Sequence, residues 1–417
     1  MRTPTKPTVA DMTGELHNRK MKQNENKQNN KNQIIMKKHM ILVAIATLTL
    51  ASCAKIETIN TNPVVDENIP ISFTNYAPKA ITKAATANYA ESTTLVNNAE
   101  FDVYAWATAN GTSFTGSNGV KSNGHDFMEW YTVTYRTGGN TNGATNAYPD
   151  GYRYWPSGDA PDYLSFYAYY PSNGTGITPP AAGLGAFSFT AQATAATMVD
   201  FMVADVVKDQ VYDNTNSGTD GTVALTFRHM LTRVQFKFKT TQDVIDNGTT
   251  VTLTDVKLYN AKTTGTLTTS YNGTTTGAVW SAQATPSASP YEVFVNGADI
   301  NNLELTATAA PATNNAADIF LMVPQAMVTN TGSNPQYLVV SWDVTTGGVT
   351  THNTKTLNFK DDLKTTDNIT AAAAAMNLDW APNASITYTL TIGPKPILFT
   401  ATVENWANET NGYFNVN

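Results

Sequence analysis

The sequence predicts an all-β chain arranged as two sandwich domains, and three observations carry that reading. Threonine, valine and aromatic residues, which favour half-buried pleated surfaces, dominate together with the asparagine and glycine that turns require. Apolar and polar residues alternate in short runs, while long helical periods are scarce. The stretch from residue 54 to residue 417 is long enough for two domains.

Taken in chain order, residues 1–35 are rich in Lys, Asn and Gln and have no apolar period, so they read as disordered or as a misassigned start. Residues 36–53 read as a lipoprotein signal peptide. Lys37 and Lys38 precede an apolar run over 40–50, and Leu50-Ala51-Ser52-Cys53 follows as a lipobox. The run is shorter than the roughly 20 residues a spanning helix needs. Cys53, the only cysteine, is the expected lipidation site and leaves no thiol for a disulfide, a metal site or a nucleophile.

An N-terminal sandwich is expected over 54–215 and a C-terminal one over 216–417, with the polar, glycine-bearing stretch 213–221 between them. Strands are expected at 222–229, 233–239 and 386–392. In the second of these Val234, Phe236 and Phe238 point inward, and Arg233, Gln235, Lys237 and Lys239 face water. Residues 251–259 switch parity between Leu253 and Val256, and a bulge near Thr254 and Asp255 would restore one apolar face. Gly393 to Pro396 turns the chain between two strands, and Asn411-Gly412 marks a last hairpin. One helix is expected over 369–378.

Acidic residues outnumber basic ones by 33 to 26 in the whole chain. The excess widens to about −13 beyond Cys53, because the leader is basic. Such a surface repels phosphate backbones, which excludes nucleic acid as a partner. No metal or other cofactor is expected. His125, His229 and His352 lie far apart, and His229 shares the parity of the apolar Phe227, which marks it as a buried structural residue. Asp213–Gly221 lacks the terminal glutamate of a calcium loop. Asp159 with Asp162, and Asp361 with Asp362, are ordinary surface pairs. Nucleophile elbows, P-loops and zinc-protease motifs are absent, so an enzyme is not expected. Aromatic residues crowd 127–170, among them Trp130, Tyr131, Trp155, Phe166 and Tyr169. They read as sandwich core. The alternative is a lipid-anchored surface protein that binds glycans by stacking sugars on Trp130 and Trp155.

Several segments together resemble fimbrillin-like lipoproteins of the Bacteroidetes. They are Tyr152-Arg-Tyr-Trp-Pro156 with residues 163–171, Val199-Asp-Phe-Met-Val-Ala204, residues 223–236, Phe320-Leu-Met-Val-Pro-Gln325 and residues 386–406. The resemblance spans nearly all of 69–417. It implies two tandem transthyretin-like β-sandwich domains and a role as a type V pilus subunit or cell-surface adhesin. It also implies outer-membrane and fimbrial localisation, with other fimbrial subunits, and a host or bacterial receptor, as partners. In such a subunit a protease removes the lipidated N-terminus with its first strand, and a strand of another subunit fills the groove. Here the removable strand would be 69–76, with Ile69, Ile71 and Phe73 inward. The donor would be the C-terminal hairpin, with Phe399, Ala401 and Val403 on one face. One departure is plain: the best-known members of the family mature at an arginine, yet none lies between Cys53 and Arg136. Either a protease of other specificity cuts near Lys79 or Lys83, or the chain keeps its lipid as an anchor or a non-polymerising surface adhesin.

Overall fold

Among the described residues, short alternating segments separated by Asn and Gly give twenty-six strands that pair into four main sheets and two small ribbons. The computed structural model describes residues 69–77, 80–82, 90–136, 146–147, 152–157, 162–212, 221–281, 283–312, 315–363, 379–394 and 397–405. Asp66 to Asn417 forms one unit. Cys53 and the signal, the predicted helix over 369–378 and the hairpin at Asn411-Gly412 lie outside the described residues. No helix among the described residues is long and apolar enough to cross a membrane.

The first sheet contains β1 (Ser72–Tyr76), β4 (Glu100–Thr108), β5 (Met128–Tyr135), β6 (Asn146–Ala147), β7 (Tyr163–Tyr170), β10 (Met202–Ala204), β11 (Val207–Gln210) and β12 (Thr222–His229). Its order is β1-β12-β10-β7-β4-β5-β6, with β11 also on β7. The ribbon of β2 (Ala80–Thr82) and β3 (Ala90–Ser92) connects β1 to β4. The second sheet joins β8 (Ile177–Thr178) and β9 (Ala186–Thr190) to β15 (Lys262–Tyr271), β16 (Thr276–Trp280) and β17 (Ala284–Pro286).

The third sheet runs β22-β13-β25-β26, from β13 (Thr232–Lys239), β22 (Ile319–Met322), β25 (Ala384–Thr391) and β26 (Leu398–Asn405). The fourth runs β18-β14-β23-β24, from β14 (Thr249–Tyr259), β18 (Tyr291–Glu292), β23 (Tyr337–Thr346) and β24 (Val349–Asn358), with β21 (Leu303–Glu304) also on β14. A second ribbon pairs β19 (Phe294–Val295) with β20 (Ala298–Asp299).

Both faces of the first sheet are dry at its centre. On β4 and β7 one parity (Tyr104, Trp106, Tyr167, Tyr169) packs with Phe187, Phe189 and Trp280 of the second sheet. The other parity (Phe101, Val103, Phe166, Ala168) packs with Ile71, Phe73 and Trp155. The third and fourth sheets face each other as a sandwich: Tyr291 of β18 meets Phe320 of β22, and Phe359, just after β24, meets Phe399 of β26. Strands β24 and β26 therefore form the edges on one side of that sandwich.

The expected boundary after residue 215 falls among 213–220, outside the described residues. Sheet membership crosses that position. β12 follows it yet completes the first sheet, and β15 to β17 return to pair beside β9. The bulge expected in 251–259 is present, as the register of β14 on β23 shifts between Leu253 and Asp255. One expectation is corrected: Arg233 and Gln235 of β13 do not face water but are buried. β13 is an interior strand between β22 and β25, and Arg233 donates to Ser385 Oγ on β25 at 2.9 Å. Only Lys237 and Lys239 reach partial exposure.

Candidate functional site

The site built from the predicted residues is the slot that holds β1. Ile69, Ile71, Phe73 and Ala77 give this segment one largely apolar face, interrupted by the buried Asn75, and it carries no charge over 69–77. Ile71 and Phe73 are wholly buried, while Thr74 and Tyr76 on the opposite parity are exposed. Ile69, expected inward with them, is only half-buried, because it precedes the strand proper. The Phe73 ring stands edge-on to Phe101 and Phe166, with centroids 6.2 and 5.6 Å away.

β1 runs parallel to β12, from Ser72 opposite Thr222 to Tyr76 opposite Thr226. At its entrance the segment is bonded on both sides. Ser72 N–H donates to Gly221 O at 2.9 Å, Ile71 N–H to Arg153 O at 2.8 Å, and Trp155 N–H to Ile69 O at 3.0 Å. At its exit Ala77 N–H donates to Thr93 O, and Asn75 Oδ1 accepts from Leu95 N–H at 2.7 Å. Its outer rim is thus closed by irregular segments at the two ends rather than by a further strand.

Trp155 is the floor of the entrance. Its indole is 5% exposed, packs against Phe166, and donates through Nε1 to Gly221 O at 3.2 Å. Gly221 has φ +92°, and a Cβ there would come within 3.2 Å of Ile69 Cγ2. The positive φ favours glycine, and a side chain there would also crowd Ile69. Trp130 is turned inward by different means. The register of β4 on β5 shifts between Val103 and Ala105, and Trp130 sits in that bulge with φ +46°. Its ring meets Tyr104, Tyr169 and Phe187 edge-on, and Nε1 donates to Pro180 O. Neither indole is laid out as an open stacking face: Trp155 is buried and Trp130 packs against the core, while Tyr154 between them in sequence is exposed.

The predicted donor, β26, is paired with β25 from Ala384 opposite Asn405 to Thr391 opposite Leu398, and among the described residues no strand lies beyond it. Phe399 is wholly buried against Tyr388 and Phe359, and Ala401 is half-buried. The Val403 side chain is outside the described residues. The slot and β26 belong to different sheets, and the structure does not bring them together.

The polar groups elsewhere serve the fold. Asp102 is buried and accepts from Thr132 Oγ1, Tyr169 Oη and Ser172 Oγ at 2.7, 2.7 and 2.6 Å. Burial first, and this bond second, push the Tyr169 hydroxyl well above its usual range. His229 is fully buried beside Asp200, with Nδ1 and Oδ1 2.9 Å apart, as the parity of Phe227 predicts. A His–Asp pair closed off in this way offers nothing to a substrate. Asp361 accepts from Asn330 N–H and Asp362 from Asn358 N–H, so both hold loops. Among the described residues no group of three or more His, Cys, Asp or Glu could hold a metal ion.

Fold and site define an all-β protein whose distinctive feature is a short apolar strand seated in an edge slot. The family model for fimbrillin-like proteins matches residues 82–406, and the chain belongs to that family. A curated relative, the fimbrium subunit Fim1C of Phocaeicola vulgatus, is 29% identical over 239 residues. That match covers 54% of this chain and 57% of the relative, so the chain spans little more than half of the relative's length. The crystal structure of a fimbrial protein from Bacteroides vulgatus has a similar fold, with a TM-score of 0.52 at 17% identity, over 81% of this chain and 99% of that one.

Proposed function

We propose that the chain is a structural subunit of a cell-surface fimbrium, exported as a lipoprotein through Cys53 and joined to its neighbours by strand exchange at the β1 slot. The observation that supports this most is β1 itself. It is an edge strand with Ile71 and Phe73 fully buried and no charge along its length. Its departure would leave an apolar trough lined by Phe101, Phe166 and Trp155, beside the unpaired backbone of β12. An incoming strand satisfies both needs, through main-chain bonds and through side chains that fill the trough.

Residues 397–403 of another subunit fit that role. They are uncharged, and Ile397-Leu-Phe-Thr400 repeats the spacing of Ile71-Ser-Phe-Thr74. Phe399 would then fill the place of Phe73. The partners are other fimbrial subunits, and the outer membrane holds the chain through its lipid until β1 is cut away. The cut lies near Lys79 or Lys83, the first two basic residues after β1. Deleting residues 397–417 should leave a secreted, lipidated monomer and no polymer ladder on mild-denaturant gels. Ladders that survive the deletion would overturn the donor assignment.

A further inference from the structure

Two edges lie side by side on the C-terminal sandwich, β26 and β24, and they differ in a way that bears on which can add a strand. β24 pairs with β23 through ten consecutive positions with no bulge, from Tyr337 opposite Asn358 to Thr346 opposite Val349. It ends the fourth sheet, and among the described residues no strand lies beyond it. Between Val349 and Asn358 it has neither proline nor glycine, and most of its side chains up to Thr356 are exposed, Val349 by 70%. A regular, exposed edge of this length is a template for pairing with another chain.

One residue argues against that use. Lys355 stands opposite Val340, which is fully buried in the sandwich core. Strand parity therefore puts Lys355 on the core-facing side of the sheet, at its rim, where the side chain is exposed. It is the only charged residue in β24 apart from the imidazole of His352, which lies on the other face beside Asp343. A strand added to β24 would extend the core face over Lys355 and strip its charge of water. Two copies meeting edge to edge about a two-fold axis would bury two such groups. β26 has no lysine or arginine; its one charged residue is Glu404, and 397–403 carries none.

We propose that Lys355 closes β24 against strand addition by a second copy of this chain. This goes beyond strand exchange at the β1 slot and holds whether or not β1 is exchanged. The test compares the unprocessed full chain with Lys355→Val and with Thr356→Val, which adds the same apolar residue on the outward parity. Light scattering over a concentration series should show Lys355→Val self-associating about tenfold more tightly than wild type. Thr356→Val should match wild type. Backbone hydrogen exchange at 349–358 should slow in Lys355→Val alone. The inference is overturned if Lys355→Val associates no more than wild type. It is equally overturned if both variants associate alike, or if association leaves exchange in β24 unchanged.

Discussion

β1 and β24 both sit at sheet edges, and they are held by opposite means. β1 has five paired positions, but Ile71 and Phe73 are fully buried and its ends are bonded to segments on its outer rim. β24 has ten paired positions, yet only Leu357 and Asn358 at its end are buried. The short strand is anchored by what it buries, and the long one by its ladder and a tight Gly347-Gly348 turn with φ +58° and +80°. Burial of one large side chain contributes about 1.5–3 kcal/mol, more than a typical net hydrogen bond at about 1 kcal/mol. Ladder length alone is therefore a poor guide to how firmly an edge is seated. An apolar slot also suits a strand that another of the same pattern could replace, whereas β24 presents nothing for a partner to fill.

The comparison can be broken at graded points, each read by urea denaturation. Phe73→Ala empties the slot and should cost about 3–5 kcal/mol. Leu357→Ala removes the one buried apolar side chain of β24 and should cost about 2–5 kcal/mol. If it cost as little as an exposed position, burial would not be what distinguishes the two edges. Trp155→Phe keeps a ring against Phe166 but loses the bond from Nε1 to Gly221 O, for about 1 kcal/mol. Thr354→Ala, exposed in the middle of β24, should stay within about 0.5 kcal/mol of wild type. A larger loss there would mean that the β24 ladder holds more than its exposure implies.

Much of this was legible from residues alone, because strand periodicity is local. Strands over 222–229, 233–239 and 386–392, the bulge in 251–259 and the burial of His229 all follow from counting parity. Parity could not tell that the polar face of β13 is half covered, since what lies over a sheet is set by distant parts of the chain. Arg233 and Gln235 were misplaced for that reason. Nor could parity pair β12 with β1 or β15 with β9, because pairing partners more than seventy residues apart leave no local trace.

The candidate site divides in the same way. Ile71 and Phe73 were readable as an inward pair, but the clasp of Arg153, Trp155 and Gly221 around the entrance was not. Trp130 and Trp155 drew attention as aromatic residues, and only the bulge at Trp130 and the bond to Gly221 show where their rings go. Gly347-Gly348 between two strand runs is a hairpin signal in the sequence, and it forms the turn between β23 and β24.

Strand exchange requires β1 to vacate its slot, so the mass of the subunits inside assembled fimbriae is the most direct test. The account predicts subunits that begin beyond Tyr76, with Cys53 and its lipid gone. Polymerised subunits that still carry residues 69–76 would contradict it.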